Sequence, residues 1–487
     1  MKGSFAGFRL QVGVLFLAIA LPGTSLALIT FERTYGGNRD DIAHSVQQTE
    51  DGGYIMAGET QSFGAGLGDV YLYKTDSLGN TQWSRVYGGS GIDIGHCVRQ
   101  TEDGGYIVAG ETWSFGSGLP YVYLVKTDSL GDTLWTRTFA DRWAKGYSVR
   151  QTQDGGYIAV GVTEIGGSVG QDAYLVKVDS SGQLLWTRHH GGPDTDMAYC
   201  VRQTTDGGFI VVGETLPPRN LYILRTDSLG DPRWARVYGG AGDARAYFVD
   251  KTEDGGYIIT GYANTFGSGD GVYLLRTDSI GDTLWSRRYG TIGGSYGRSV
   301  LVASDGGYVV AGGCLRMGGN KDVLLLKTDS NGDSVWSRSF GGILEEQGAE
   351  AQQTRDGGYI LLGSTWSFGT GSRNMFYLIK TDENGLTGVE EAGTRPLLGR
   401  QVLELMQNHP NPFNRSTAIA YSLAQTAQIT LSIYDITGRL VETLVNGMQQ
   451  PGMHEVHWNR KTNPSGVYFY RLNAGEFVRT RKMVVVE

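Results

Sequence analysis

Seven copies of an Asp-Gly-Gly-aromatic motif, four short strand-forming runs in each copy, and no helical periodicity along the chain predict an all-β protein. The expected architecture is a seven-bladed β-propeller whose N-terminal strand closes the last blade, followed by a small C-terminal immunoglobulin-like β-sandwich. The motif begins at Asp51, Asp103, Asp154, Asp206, Asp254, Asp305 and Asp356, at spacings of 52, 51, 52, 48, 51 and 51 residues. Glycine occupies 75 of 487 positions, and 27 tyrosines stand against 11 prolines, a composition that reads as many tight turns between short strands.

The first full repeat shows the order within a copy. Residues 43–49 lead to the turn at Asp51, Gly52 and Gly53, where Asp caps its own backbone and Gly supplies positive φ. Residues 54–60 form the next run. A Gly-rich loop, a run at 70–76, a second turn at 77–80 and a last run at 81–87 complete the unit. A four-stranded twisted sheet of this size buries both faces when it stands between two neighbours in a ring. The two ends of the array complement each other. The seventh repeat stops after Gly385 without its fourth run, while Phe31-Glu32-Arg33-Thr34-Tyr35-Gly36-Gly37 matches the segment from Trp83 to Gly89. The N-terminal strand is therefore expected to complete the last blade and hide its edge. An open solenoid is the other arrangement the repeats allow, and it has no use for that exchange.

Asp76-x-x-Gly79-x-x-x-Trp83 recurs in five further copies, placing Trp135, Trp186, Trp234, Trp285 and Trp336 at equivalent positions. This pattern resembles the tryptophan-docking repeat of the pyrroloquinoline-quinone-type propellers. The resemblance implies that these six indoles, with Phe31 in the matching N-terminal position, pack between blades. It does not carry the cofactor over, because the quinone enzymes are mostly eight-bladed and bear a cysteine pair and a calcium-binding carboxylate set that have no counterpart here. No cofactor and no metal are expected.

Residues 1–27 combine Lys2 and Arg9, an apolar stretch over about residues 12–21, and Ser25-Leu26-Ala27. That is the pattern of a cleavable secretory signal, with a retained anchor as the other reading. The apolar stretch is too short to span a bilayer unaided, and no other segment approaches that length. The propeller is expected over residues 28–386 and a linker over 387–403. From 404 to 487 the pattern changes to alternating strands punctuated by Asn408-His409-Pro410-Asn411-Pro412-Phe413-Asn414, Asp435-Ile436-Thr437-Gly438-Arg439, Ser465-Gly466-Val467-Tyr468-Phe469-Tyr470-Arg471 and a final run from Arg481 and Lys482. These motifs, in this order, resemble the type A sorting domain of the type IX secretion system. The resemblance assigns the sorting signal to Asn411, Pro412, Phe413, Gly438, Gly466, Tyr468 and Lys482. It implies export to the outer surface and a partner in the outer-membrane secretion machinery. An immunoglobulin-like module with a purely structural role is similar at this level.

The formal net charge is −8. Residues 28–386 carry 30 basic and 42 acidic side chains, a balance of −12, whereas residues 404–487 carry 8 and 6, a balance of +2. An acidic main body is a poor match for phosphate backbones, so nucleic acid is not an expected partner. Cys97 and Cys200 occupy one repeat position two copies apart, too far around a ring for a disulfide, and with Cys314 they read as small buried side chains, a reactive thiol being the sharper alternative. The Gly-x-Ser-x-Gly matches at Ser168 and Ser295 lack the strand-to-helix turn of a nucleophile elbow. His189 and His190 are adjacent on a strand and point to opposite faces, which discourages a shared metal.

The invariant turns fall on one face of the expected disc, leaving the variable loops on the other, where binding usually resides. Seven residues before each turn Asp stand His44, His96, Tyr147, Tyr199, Tyr247, Arg298 and Ala349. They are expected at the start of each first strand, ringing the channel mouth. With Trp113, Trp143, Trp366, Glu111 and Glu214 nearby, this rim is the expected site for a glycan or peptide. Packing of the strand entry is the plainer role for the same residues.

Overall fold

The structure is a computed structural model that describes residues 29–486 apart from 141, 165–169, 193, 240–241, 265–269, 291–293, 316–318, 370–372, 388–403, 424–425, 451 and 476. The signal-peptide segment and all of the linker beyond Thr387 lie outside the described residues. Among the described residues every regular element is a β-strand.

Residues 31–381 build seven four-stranded antiparallel sheets. Sheet 1 runs Asp41–Gln48, Tyr54–Thr60, Asp69–Thr75 and Thr81–Tyr87 in spatial order. Sheets 2 to 6 repeat this order over residues 93–139, 143–190, 195–238, 244–289 and 296–340. Sheet 7 takes three strands from the end of the array, Glu346–Gln353, Tyr359–Thr365 and Met375–Thr381, and its fourth, Phe31–Tyr35, from the beginning. That strand pairs antiparallel along its whole length, from Phe31 opposite Lys380 to Tyr35 opposite Phe376.

The second and third strands are apolar on both sides because each sheet is covered on both faces. Ile55, Ala57, Val70 and Leu72 of sheet 1 pack with Val98, Tyr106, Val108 and Tyr123 of sheet 2. Apolar clusters join each further pair of neighbours. Ile360, Leu362, Phe376 and Leu378 of sheet 7 meet Val46, Tyr54 and Met56 of sheet 1, so the last sheet packs against the first. Polar contacts cross the same junction: Ala43 N donates to Ser364 Oγ at 3.0 Å, Ser45 Oγ to Glu350 Oε2 at 2.7 Å, and Arg355 N to Gln48 Oε1 at 3.0 Å. The arrangement is propeller-like.

At the rim the six tryptophans are half-buried, not fully enclosed. Each lies against the turn glycine of the next sheet. A Cβ on Gly131 would fall 2.8 Å from Trp83, one on Gly182 would fall 2.9 Å from Trp135, and one on Gly385 would fall 2.8 Å from Trp336. Phe31 takes this place against Gly79, at 2.9 Å. An arginine two residues on lies over the ring, as Arg85 does over Trp83 at 5.7 Å and Arg33 over Phe31 at 5.9 Å. Tyr87 donates to Gly131 O and Tyr35 to Gly79 O, both at 2.6 Å. His190 replaces that tyrosine and reaches Gly230 O at 2.9 Å.

A further ion pair recurs in every one of these sheets. The third strand ends in a buried cation, Lys74, Lys126, Lys177, Arg225, Arg276, Lys327 or Lys380, paired with the Asp of the Asp-Gly-Gly turn. Lys74 is 2% exposed; its ammonium donates to Asp51 Oδ2 at 2.8 Å and to Thr75 O at 2.9 Å. This crowding explains the second glycine of the motif, since a Cβ on Gly53 would stand 2.1 Å from Thr75 O and 2.6 Å from Lys74 Nζ. The first glycine has open space but a φ of +82°, so only its backbone conformation demands glycine.

The C-terminal region forms a three-stranded sheet, Glu404–Leu405, Ser416–Leu423 and Gly452–Asn459, and a four-stranded sheet ordered Leu440–Gln449, Ala427–Asp435, Gly466–Ala474 and Phe477–Val485. Ile419, Tyr421 and Trp458 of the first pack with Ile429, Leu431, Tyr470 and Met483 of the second around one core.

Two outcomes are expected. Gly105→Ala lowers the unfolding midpoint more than Gly104→Ala does, because its Cβ would meet Thr127 O at 2.1 Å while Gly104 carries only a φ of +78°, a backbone cost of about 1 kcal/mol; thermal melts compare the two. Asp154, Asp206 and Asp254 have carboxyls held down to about 2, each by hydrogen bonds from a neighbouring threonine hydroxyl and from its cation, against the opposing pull of burial. Depressed carboxyls stabilise the fold above their ordinary value near 3.8 and lose that contribution as pH falls towards 2. Acid titration should therefore unfold the protein between about pH 4 and 2, and Asp154→Asn should make that slope shallower.

Candidate ligand site in the central cavity

First strands of successive sheets lie side by side all the way round, from sheet 1 to sheet 7 and back to sheet 1. Each carries one β-bulge, with pairing to the second strand skipping a single residue. The skipped residues are His44, His96, Tyr147, Tyr199, Tyr247, Arg298 and Ala349. They stand in mid-strand, not at the strand start expected from sequence. A bulge inserts an unpaired residue and re-aims its side chain. The preceding residue is always Ala or Gly, and opposite it sits a glycine of the second strand: a Cβ on Gly110 would lie 1.7 Å from Ile94 O.

The bulged side chains enclose a cavity of about 290 Å³. Neighbouring rings follow one another: His44–His96 at 5.0 Å, His96–Tyr147 at 5.3 Å, Tyr147–Tyr199 at 5.3 Å and Tyr199–Tyr247 at 5.6 Å between centroids. Arg298 then lies over Tyr247 at 4.7 Å and over Tyr296, a lining residue the sequence did not single out, at 5.4 Å. Trp113 and Trp366 are half-exposed in loops after second strands, and neither lines the cavity. Trp143, also outside the lining, donates its indole N–H to Glu164.

Behind the ring stand two buried carboxylates at one repeat position. Glu111 pairs with Lys145 at 2.9 Å and lies 3.8 Å from His96. Burial pushes its carboxyl up, but His96 and Lys145 outweigh burial and hold it below the usual range. Glu214 accepts from Tyr199 OH at 2.6 Å and pairs with Arg219 at 2.9 Å and Arg245 at 3.2 Å. Glu59, at the same position in sheet 1, is raised by burial. His44 is driven well below its ordinary value by burial first, then by His96 and Arg298, so it is neutral at neutral pH. Burial raises Tyr147 and Tyr199, with Glu111 and Glu214 adding to it, and both phenols stay protonated.

One residue deeper, Glu350 is clamped by Arg99 and Ser45; Arg99 Nη1 reaches Glu350 Oε2 at 3.3 Å and Ser45 Oγ at 3.0 Å. Cys97 and Cys200 line the cavity as free thiols. Arg150 Nη1 lies 3.4 Å from Cys97 Sγ. Although burial raises the Cys97 thiol, Arg99 and Arg150 outweigh it and lower it on balance. Among the described residues no group of three or more His, Cys, Asp and Glu side chains could hold a metal ion. Of the two Gly-x-Ser-x-Gly matches, the one at Ser168 and part of the one at Ser295 fall outside the described residues.

Of the sorting-motif residues, Phe413 and Tyr468 belong to the C-terminal core, while Gly438 and Gly466 are exposed. Asn411 Oδ1 accepts from Val484 N at 2.8 Å, and Phe413 bridges to the last strand through Phe413 N to Val484 O at 3.0 Å and Val486 N to Phe413 O at 2.8 Å. Phe413 and Tyr468 flank Trp458 at 5.7 and 5.3 Å. Pro412 continues this segment, Gly438 makes its turn at a φ of +82°, Gly466 opens the strand that carries Tyr468, and Lys482 O accepts from Gln407 Nε2 at 2.8 Å. No helix of the described residues is long and apolar enough to cross a membrane.

Comparison with known proteins gives one family match. Residues 408–486 match the secretion system C-terminal sorting domain. No curated protein matches the chain. Among solved structures, the chain is similar to PorZ, a bacterial surface component of the type IX secretion system of Porphyromonas gingivalis, at 13% identity and a TM-score of 0.41, covering 93% of this chain and 60% of PorZ. It is also similar to Sqt1 from Chaetomium thermophilum, at 10% identity, a TM-score of 0.44, and coverage of 69% and 82%. An α-L-arabinanase of Penicillium chrysogenum aligns at 11% identity, a TM-score of 0.37, and coverage of 73% and 98%. The sorting domain implies interaction with the type IX machinery, and it marks a protein exported to the cell surface or secreted.

Proposed function

We propose that the chain is a seven-bladed β-propeller carried to the cell surface by its type IX sorting domain, where it binds a glycan or peptide at the central cavity without catalysing a reaction. The ring of bulged side chains carries this reading. Seven sheets each spend a bulge and a glycine to turn one side chain into a common cavity, and five of those side chains are aromatic. The propeller occupies residues 28–386 behind a signal peptide at 1–27, and a linker at 387–403 leads to an immunoglobulin-like sorting domain at 404–487. The six tryptophans and Phe31 dock blade on blade in the manner of the pyrroloquinoline-quinone-type repeats, without their cofactor.

A polysaccharide hydrolase or lyase is the second reading, favoured by one observation: burial raises Glu59 while Glu111 is held ionised, the division of roles that an acid and a base need. Against it, both Glu111 and Glu214 are engaged by cations.

Deleting residues 404–487 is expected to leave the protein in the periplasm, read by surface protease accessibility; normal surface delivery of the truncated chain overturns the export assignment. A glycan and peptide array probed with the full exported protein should return ligands whose binding falls at least about tenfold in Tyr147→Ala and Tyr247→Ala. Release of reducing ends by the wild type, lost in Glu59→Gln, would establish the second reading in place of the first.

A further inference from the structure

Charge is distributed unevenly around the cavity. The propeller segment carries a balance of −12, yet the seven bulged positions around the cavity hold one arginine, Arg298, and no carboxylate. Arg298 is exposed at the cavity, and its recorded contacts are the faces of Tyr247 at 4.7 Å and Tyr296 at 5.4 Å. Lys321 Nζ approaches Tyr296 at 5.5 Å. Among the described residues no carboxylate lies within ion-pair distance of either cation. The carboxylate that Tyr296 senses, Glu345, is hydrogen bonded to Gln347 at 3.2 Å. Glu111, Glu214 and Glu350 are each neutralised by cations of their own.

On sheets 1, 2 and 7 the strand edges that face the axis below the ring are closed to an added peptide strand. Val46 N is taken by Glu350 at 3.1 Å, Gln48 N by Gln352 at 3.0 Å, Val98 N by Ser45 at 3.2 Å, Gln100 N by Gln47 at 2.7 Å and Ala351 N by Ser299 at 3.0 Å. Main-chain recognition of an extended peptide needs such donors free. What the cavity offers a ligand is a run of aromatic rings from His44 to Tyr247 and the guanidinium of Arg298. Aromatic faces stack on the apolar faces of pyranose rings, and a guanidinium forks onto a carboxylate or sulfate.

We infer that the cavity selects an anionic sugar unit of a glycan, its ring held among the aromatic side chains that line the cavity and its acidic group on Arg298. The inference rests on the binding reading given above and names its ligand class. A carboxylate and a sulfate share this chemistry, so both belong in the test.

The full exported protein is titrated by calorimetry with uronate-, sialate- and sulfate-bearing oligosaccharides, each beside its neutral counterpart, and with a tripeptide bearing a free carboxylate. At least one acidic oligosaccharide is expected to bind, its neutral counterpart at least about tenfold more weakly, with affinity falling as salt rises. Arg298→Gln should lose about tenfold and Arg298→Lys should keep part of the binding; the exposed position of Arg298 leaves melting temperature as an independent check that both variants fold. Which acidic series binds separates carboxylate from sulfate. Equal binding of neutral and acidic sugars, unchanged binding by Arg298→Gln, tighter binding of the tripeptide, or no binding of any acidic sugar overturns the inference. If neutral sugars bind and Tyr147→Ala abolishes that binding, the cavity reading stands while the charge selection falls; if no probe binds the cavity, both fall.

Discussion

The pairing of Phe31–Tyr35 with Met375–Thr381 is the constraint on which the other features depend. It ties the start of the array to its end, covers the outer edge of sheet 7, and sets Phe31 against Gly79 in the place other sheets give to tryptophan. With sheet 7 completed, its faces meet sheets 6 and 1, and the apolar second and third strands are buried throughout. A lone sheet of this composition would expose two apolar faces and an unpaired edge. Packing of neighbouring sheets face to face covers those apolar surfaces.

The cavity follows from the same geometry. Once first strands face a common axis, side chains must be aimed into the space they share, and the edge donors need partners. The bulges address the first problem by turning one residue per strand towards the axis, at the cost of a glycine opposite. Side chains of the neighbouring sheet address the second, as Glu350, Gln352 and Ser45 do for backbone N–H groups. Ring identity is then free to vary, from His44 and His96 through three tyrosines to Arg298, while the scaffold repeats. That separation of fixed frame and variable lining is the physical basis for reading the cavity as a binding site.

Much of the frame was legible in the residues. The Asp-Gly-Gly spacing located every first turn, the Asp-x-x-Gly-x-x-x-Trp spacing located the second, and the match of Phe31–Tyr35 to Trp83–Tyr87 pointed to the shared sheet. The ring residues were found by counting back from the turn, but their mid-strand bulges were not, because a bulge shows only in pairing. A signal existed: a small residue before each ring position, and a glycine four residues after the turn's aromatic, at Gly58 and its equivalents. The buried cations of the third strands were missed although each interrupts an apolar run at one fixed place, Lys74, Lys126 and their equivalents. Trp113 and Trp366 misled because loop residues close to the cavity in sequence order need not turn towards it. The sorting motifs were recognisable as patterns, yet the placing of Phe413 and Tyr468 around Trp458 required the three-dimensional core.

Hydrogen exchange of the full exported protein tests the closure most directly. Those alternate amides of residues 31–35 that bond to Met375–Thr381 should exchange as slowly as the amides of that strand, since a strand paired from Phe31 to Tyr35 opens only when the seventh sheet comes apart. Fast exchange of those bonded amides beside a protected 375–381 would contradict the shared sheet, and with it the ring and its cavity.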